Sequence, residues 1–311
     1  MRPTSRSRDE TGSGVRRPAR GDRERADEPP ASPQHGGNPP PACLVDYHIH
    51  TARCGHAVGS MEEYLERAVE LGLGEIGFSD HLHLYFLPRD RRDPTLAMAE
   101  EELPEYVESV LRLRDRHPRI PVRLGIEADY FPGQEDVLRR ILEPYPWDYV
   151  YGSVHFIGDW GFDDPKYVDR YAEWDIDELY RRYFGLVKGA ADSGLFDVLG
   201  HLDVVKKFGH RPERDPGPLY ASVAAALREA GVCIEVSTAG LRKPVGEIYP
   251  GPQLLTECAR HGVPVTLGSD SHKPTEVGFA YDRALEALKA AGYRSIARFQ
   301  RRTRIPTPLG Y

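Results

Sequence analysis

From Cys43 onward the chain alternates between short apolar, β-branched runs and longer stretches in which charges and apolar residues recur at helical spacing. The short runs fall at 43–50 (CLVDYHIH), 75–81, 123–130, 149–157, 198–203, 233–238 and 265–272, and predict seven strands. Between them, 60–71, 100–117, 175–192, 217–230 and 275–291 read as amphipathic helices. Strand then helix, repeated seven times, predicts a parallel α/β barrel or a doubly wound sheet.

The polar residues sit at particular places in this pattern. Six of the seven strand candidates carry His, Asp or Glu at or near their ends after an apolar start, and catalytic groups of parallel barrels come from those carboxyl ends. His48 and His50 stand two apart, so strand geometry turns both to one face and they can grip one ion. Asp270 and His272 repeat the arrangement on the last strand, while Asp80 and His81 end the second. Glu127 lies in the third, His155 in the fourth and His201 in the fifth. A lone histidine such as His155 has an ordinary structural alternative, and His-x-His alone is a weak pattern. Glu127 in an apolar strand is harder to explain without a cation or good partners, because burying an unpaired carboxylate costs several kcal/mol. A barrel brings all these strand ends to one rim, and that convergence favours metal binding.

Composition bounds the reading. The 311 residues are 40% apolar and 29% charged, an ordinary globular balance. Residues 1–42 differ: eight Pro, five Gly and eight Arg against six Asp or Glu, with no aromatic, Leu or Ile. They are expected to form a disordered extension ahead of a single barrel domain at 43–311, because they cannot bury enough apolar surface to offset ordering entropy. A net charge of -7 argues against a nucleic-acid or membrane-surface binder. Four cysteines with no C-x-x-C pair suit a reducing cytoplasm, and no run approaches the length of a membrane span.

The remaining histidines divide by context. His117 and His261 lie at helix ends and read as solvated or capping groups. His83 flanks His81, His56 lies in the small-residue loop TARCGHAVG that can fold back to the rim, and His210 follows a basic stretch and reads as a surface residue.

In order, DYHIHTARCGHA, FSDH, GIEADYF, GSVHFI, GHLDVVKKFG and GSDSH resemble the successive motifs of the polymerase and histidinol phosphatase (PHP) superfamily over about residues 43–291. GSVHFIGDWGFDD and TAGLRKPVGEIYP resemble its histidinol-phosphate phosphatases more narrowly. The resemblance implies a distorted (β/α)7 barrel with three divalent ions, whether manganese, iron or zinc. By motif, His48, His50, Glu127 and Asp270 should hold one ion, and Glu127 should bridge to a second held by His155 and His201. His56, His81 and His272 should hold the third, with the choice between Asp80 and His81 the least secure.

Seven neutral histidines and two carboxylates leave three divalent ions with a surplus of positive charge suited to a phosphate dianion and a hydroxide together. Metal lowers the pKa of a bound water toward about 7, and the resulting hydroxide attacks phosphorus in line. Glu127, Asp270 and His272 are therefore the candidate catalytic groups, and a small phosphate ester, histidinol phosphate by resemblance, is the candidate substrate. Arg242 is the candidate phosphate fork and Lys206 a similar candidate. Asp46 and Asp203 lie two residues from His48 and His201 and could fix their tautomers. The alternatives are a broader phosphoesterase acting on nucleotides or nucleic-acid ends, and a catalytically silent metal-binding barrel.

Overall fold

The computed structural model describes residues 44–310, so the expected disordered extension at 1–42 lies outside the described residues. The strands are β1 (Val45–Asp46), β2 (Glu75–Phe78), β3 (Val122–Leu124), β4 (Glu127–Asp129), β5 (Tyr151–Ser153), β6 (Phe156–Ile157), β7 (Trp160–Gly161), β8 (Val198–Leu199), β9 (Cys233–Ser237), β10 (Val265–Gly268), β11 (Ser295–Gln300) and β12 (Thr303–Pro308). The helices are α1 (Met61–Glu70), α2 (Leu103–Arg116), α3 (Glu135–Leu142), α4 (Ile176–Asp192), α5 (Gly217–Ala230), α6 (Pro252–Arg260) and α7 (Tyr281–Ala291).

Two parallel sheets, β1-β2-β3 and β4-β5-β8-β9-β10, join at both ends. Gly125 N donates to Phe78 O (2.8 Å) and Glu127 N to Asp80 O (3.0 Å), which carries β4 along the end of β2. Tyr47 N donates to Leu267 O (3.2 Å) and Ser271 N to His48 O (3.0 Å), which joins β1 to β10. With β3 and β4 as two halves of one strand position, seven positions form a closed parallel ring, the barrel rather than the doubly wound sheet.

Local chemistry accounts for the helices around it. Ser60 and Glu63 form a reciprocal capping box on α1, which buries Tyr64, Leu65 and Ala68 against the ring. Asp175 caps α4 through Glu178 N at 3.0 Å. Inside the ring, Tyr149 stacks on Tyr47 with centroids 4.9 Å apart. Gly77 and Gly125 make that possible, since a Cβ on either would lie 2.2 Å from the tyrosine. Tyr149 and Tyr151 thus form a solid floor beneath the strand ends.

The structure departs from the predicted elements in several places. The fourth strand stops at Ser153, and Phe156–Ile157 turns back on Trp160–Gly161 through Gly158 at φ 66°. The last predicted helix begins only at Tyr281, because a 3-10 turn at Pro274–Glu276 and positive φ at Gly278 and Ala280 interrupt it. Helices α3 and α6 and the antiparallel hairpin β11-β12 were not anticipated. That hairpin turns at Arg301 and Arg302, both in left-handed backbone. Asp148 fixes the turn, accepting Arg301 N at its carboxylate (3.0 Å) and Arg302 N at its carbonyl (2.8 Å). Among the described residues, no helix is long and apolar enough to cross a membrane.

Candidate metal centre

All nine residues expected to ligate metal converge at one rim of the ring. His48 and His50 follow β1, His81 follows β2, Glu127 opens β4, His155 follows β5, His201 follows β8, and Asp270 and His272 follow β10. His56 reaches the same rim from its loop, its ring centroid 4.6 Å from that of His272. His201 (φ 23°) and Asp270 (φ 52°) sit in left-handed backbone, which costs a non-glycine residue about 1–3 kcal/mol and concentrates at functional sites.

Glu127, 1% exposed, is the hub. Its Oε2 lies 3.2 Å from His48 Nε2, 3.6 Å from His50 Nε2 and 3.0 Å from His81 Nδ1. Its Oε1 lies 3.1 Å from His201 Nε2 and 3.7 Å from His155 Nε2, and accepts from Ser153 Oγ at 2.5 Å. Asp270 Oδ1 is 3.1 Å from His50 Nε2 and 3.9 Å from His48 Nε2. His48, His50 and Asp270 therefore form one compact donor group, and His48, Glu127 and His201 a second. A third gathers His50, His81 and His272, with Cys54 beside His56 and His272 as an unanticipated neighbour. Of the pair left open at the second strand, His81 faces Glu127, whereas Asp80 turns to His50 Nδ1 at 3.5 Å and to the Thr51 hydroxyl.

These donors fit a cation better than they fit one another. His48 Nε2, both nitrogens of His50, Glu127 Oε2 and His272 Nε2 are buried yet make no hydrogen bond. Such orphaned polar atoms, packed 3 to 4 Å apart, suit a cation held between them. Burial pushes the Glu127 carboxyl up, but His81, His48 and His201 outweigh it and hold it well below the ordinary value; Asp270 behaves likewise, with His48, His50 and His272 overcoming burial. Burial drives His272 far down, with His50 pressing the same way, so its ring is neutral. His50 and His155 go the other way: carboxylates outweigh burial and lift them to about 9 and about 10. A divalent ion competes with those protons for the same lone pairs.

The tautomer-fixing groups differ from those expected. His48 Nδ1 pairs at 2.8 Å with Glu235, a fully buried carboxylate on β9 whose other oxygen accepts His201 N at 2.7 Å. His155 Nδ1 pairs with Asp129 Oδ1 at 3.0 Å. Asp46 instead accepts from Ser269 N and Gly278 N (2.9 Å each), and Asp203 from Gly251 N (2.9 Å), so both brace loops. A signal for Glu235 and Asp129 was present: each is a carboxylate in an apolar strand, like Glu127.

A cavity of about 590 Å³ opens over the cluster, lined in part by His81, Asp163, Tyr167, Lys207, Arg242 and Lys243. Arg242 reaches it, but one guanidinium nitrogen donates to Ser269 O (2.8 Å) and Asp270 O (3.0 Å), propping the strained Asp270 turn, while Nη1 is buried without a partner. Lys206 is corrected outright. It is fully buried, and its ammonium is taken up by Asp203 (2.8 Å), Glu247 (2.7 Å) and Ile248 O (2.9 Å). His83 lies in a separate small cavity, His210 stacks on Tyr171 at 4.2 Å, and His261 bonds Glu257 O at the end of α6.

The family model for the PHP domain matches residues 46–239. A Deinococcus radiodurans protein named "Probable histidinol-phosphatase" is 45% identical over 255 residues, 81% of this chain and 95% of that one. The histidinol-phosphatase of Bacillus subtilis is 29% identical over 266 residues, 78% of this chain and 98% of its own. The crystal structure of histidinol phosphate phosphatase from Lactococcus lactis, complexed with zinc, L-histidinol and phosphate, shares the fold with a TM-score of 0.71. It covers 84% of this chain and 98% of its own at 23% identity.

Proposed function

The chain belongs to the PHP domain family, and we propose that it is a metal-dependent phosphomonoesterase that hydrolyses histidinol phosphate to histidinol and phosphate. The observation that carries the reading is the cluster of buried, hydrogen-bond-orphaned histidine and carboxylate atoms around Glu127, at the base of an open cavity. His48, His50, Glu127 and Asp270 would hold one divalent ion, Glu127 with His155 and His201 a second, and His56, His81 and His272 a third. Ions bound there would lower the pKa of water and neutralise phosphoryl oxygens.

The chain's own groups do the remaining work. Glu235 and Asp129 hold His48 and His155 by Nδ1 and so leave each Nε2 facing Glu127. Arg242 fixes the backbone of the Asp270 turn and has one free N–H pair for an anion. Asp163, held down to about 2 by Lys207 and His155 against burial, keeps a negative charge on the cavity wall, suited to the cationic amino-alcohol end of the substrate.

The test is phosphate release from histidinol phosphate, nucleoside monophosphates and single-stranded DNA, before and after chelation. Histidinol phosphate should be the preferred substrate. Chelation should abolish turnover, and manganese, iron, cobalt or zinc should restore it, since mixed nitrogen and oxygen donors accept all four. Full activity after metal removal overturns the centre; preference for DNA overturns the substrate.

A further inference from the structure

The basic residues lining the cavity are Lys166, Lys207, Arg242 and Lys243, and their partners separate them. Lys207 donates to the carbonyl (2.6 Å) and carboxylate (3.1 Å) of Asp163. Lys166 is 63% exposed and lies 3.8 Å from Asp93 and 3.9 Å from Asp164. Arg242 commits one guanidinium nitrogen to Ser269 O and Asp270 O and lies 3.5 Å from Glu276. Lys243 alone among these four makes no side-chain hydrogen bond or ion pair within the described residues, although it is partly buried.

We infer that Lys243 binds the phosphoryl group of the substrate, the role the sequence suggested for Lys206. The inference rests on the phosphomonoesterase reading above. Its position follows from the fold: Lys243 ends the 3-10 turn Ala239–Arg242 that leaves β9 at the rim, and its backbone N–H bonds Gly240 O at 3.1 Å. The charges acting on it are those of Asp270 and Glu276, which favour the ammonium, and of Lys207 and Arg242, which oppose it. Burial lowers the pKa of this ammonium, and Lys207 and Arg242 add to the effect against Asp270 and Glu276. A desolvated ammonium with three unused donors beside the donor cluster is prepared for an anion with several oxygens, because no internal bond must break when it arrives. Lys206 and Lys207 each have a carboxylate to give up first.

The experiment is calorimetric titration of inorganic phosphate into the metal-loaded full chain, with metal content and melting temperature measured alongside. Lys243→Met should weaken phosphate binding by about 10- to 100-fold, the range of a charge-assisted hydrogen bond. Lys243→Arg should keep most of the affinity. Both variants should retain metal and melt as the parent does, since the ammonium supports nothing else in the chain. Unchanged phosphate affinity in Lys243→Met overturns the inference, as does loss of fold or metal, which would make Lys243 part of the scaffold. If the parent binds phosphate through Lys243 yet hydrolyses no phosphomonoester, the inference stands and the functional reading fails.

Discussion

Replacing Glu235 by glutamine tests the support of the metal centre without touching a proposed ligand. Glu235 is fully buried and serves two donors at once, His48 Nδ1 at 2.8 Å and His201 N at 2.7 Å. Glutamine has nearly the same shape but offers one acceptor and one donor, so one of the two contacts must fail. The side chain packs directly on the backbone of Gly268, where there is no room even for a Cβ. If the backbone N–H of His201 loses its acceptor, the unpaired buried donor costs about 1–3 kcal/mol. If His48 yields instead, its proton moves to Nε2 and the lone pair facing Glu127 disappears. Loss of such supporting carboxylates generally costs about 10- to 100-fold in metal affinity. The assay is metal titration against a competing chelator, paired with melting of the metal-free protein. Affinity should fall by that factor, and the melting temperature by about 2–4 °C for each kcal/mol lost. A Glu235→Gln protein that binds metal as tightly as its parent would refute the idea that this carboxylate sets the His48 tautomer.

Two further substitutions separate the centre from its surroundings. Glu127→Gln should lose far more turnover and bound metal than His83→Ala, because Glu127 faces five histidines whereas His83 lines a different cavity; equal losses in activity and metal content would mean the hub is misplaced. Lys206→Met should lower stability by about 3–5 kcal/mol, since it leaves the buried Asp203 carboxylate beside an apolar side chain, whereas Glu247 keeps Arg211 (2.8 Å). Denaturant unfolding measures this, and a near-neutral result would show that water reaches the pair.

Much of the centre was legible because strand periodicity settles which way a side chain points. His48 and His50 are two apart on the chain that leaves β1, so the strand assignment places both; Asp270 and His272 follow β10 through the left-handed turn at Asp270, where the strand assignment gave only the rim they reach. The same rule would have exposed Glu235 in the buried strand Cys233–Ser237 had the middle of strands been weighed as their ends were. The failures lie where backbone direction depends on turns. Lys206 and Lys207 are adjacent on one 3-10 turn, yet one points into the scaffold and the other into the cavity. No local pattern separates them, because the difference is set by Asp203 and Glu247 on one side and Asp163 on the other. Helix α6 and hairpin β11-β12 escaped for a related reason: their apolar stripes are short, and long-range partners such as Asp148 complete them.

The hairpin β11-β12 also bears on the order in which the molecule can be assembled. Phe299 N bonds the Tyr47 hydroxyl (3.3 Å), Arg298 pairs with Glu75 (3.3 Å), Thr266 bonds Ala297 O (2.9 Å) and Arg302 pairs with Asp197 (2.8 Å). The hairpin thus ties β1, β2, β10 and the segment before β8 together from below, and the ring itself closes between β1 and β10, more than 200 residues apart. Contacts of such long sequence separation form slowly, since loop-closure entropy must be met before they reward it. On a ribosome, the edge of β1 that pairs β10 therefore stays open until β10 and then the hairpin emerge, and an open parallel edge is of the kind on which chaperones act and aggregation begins.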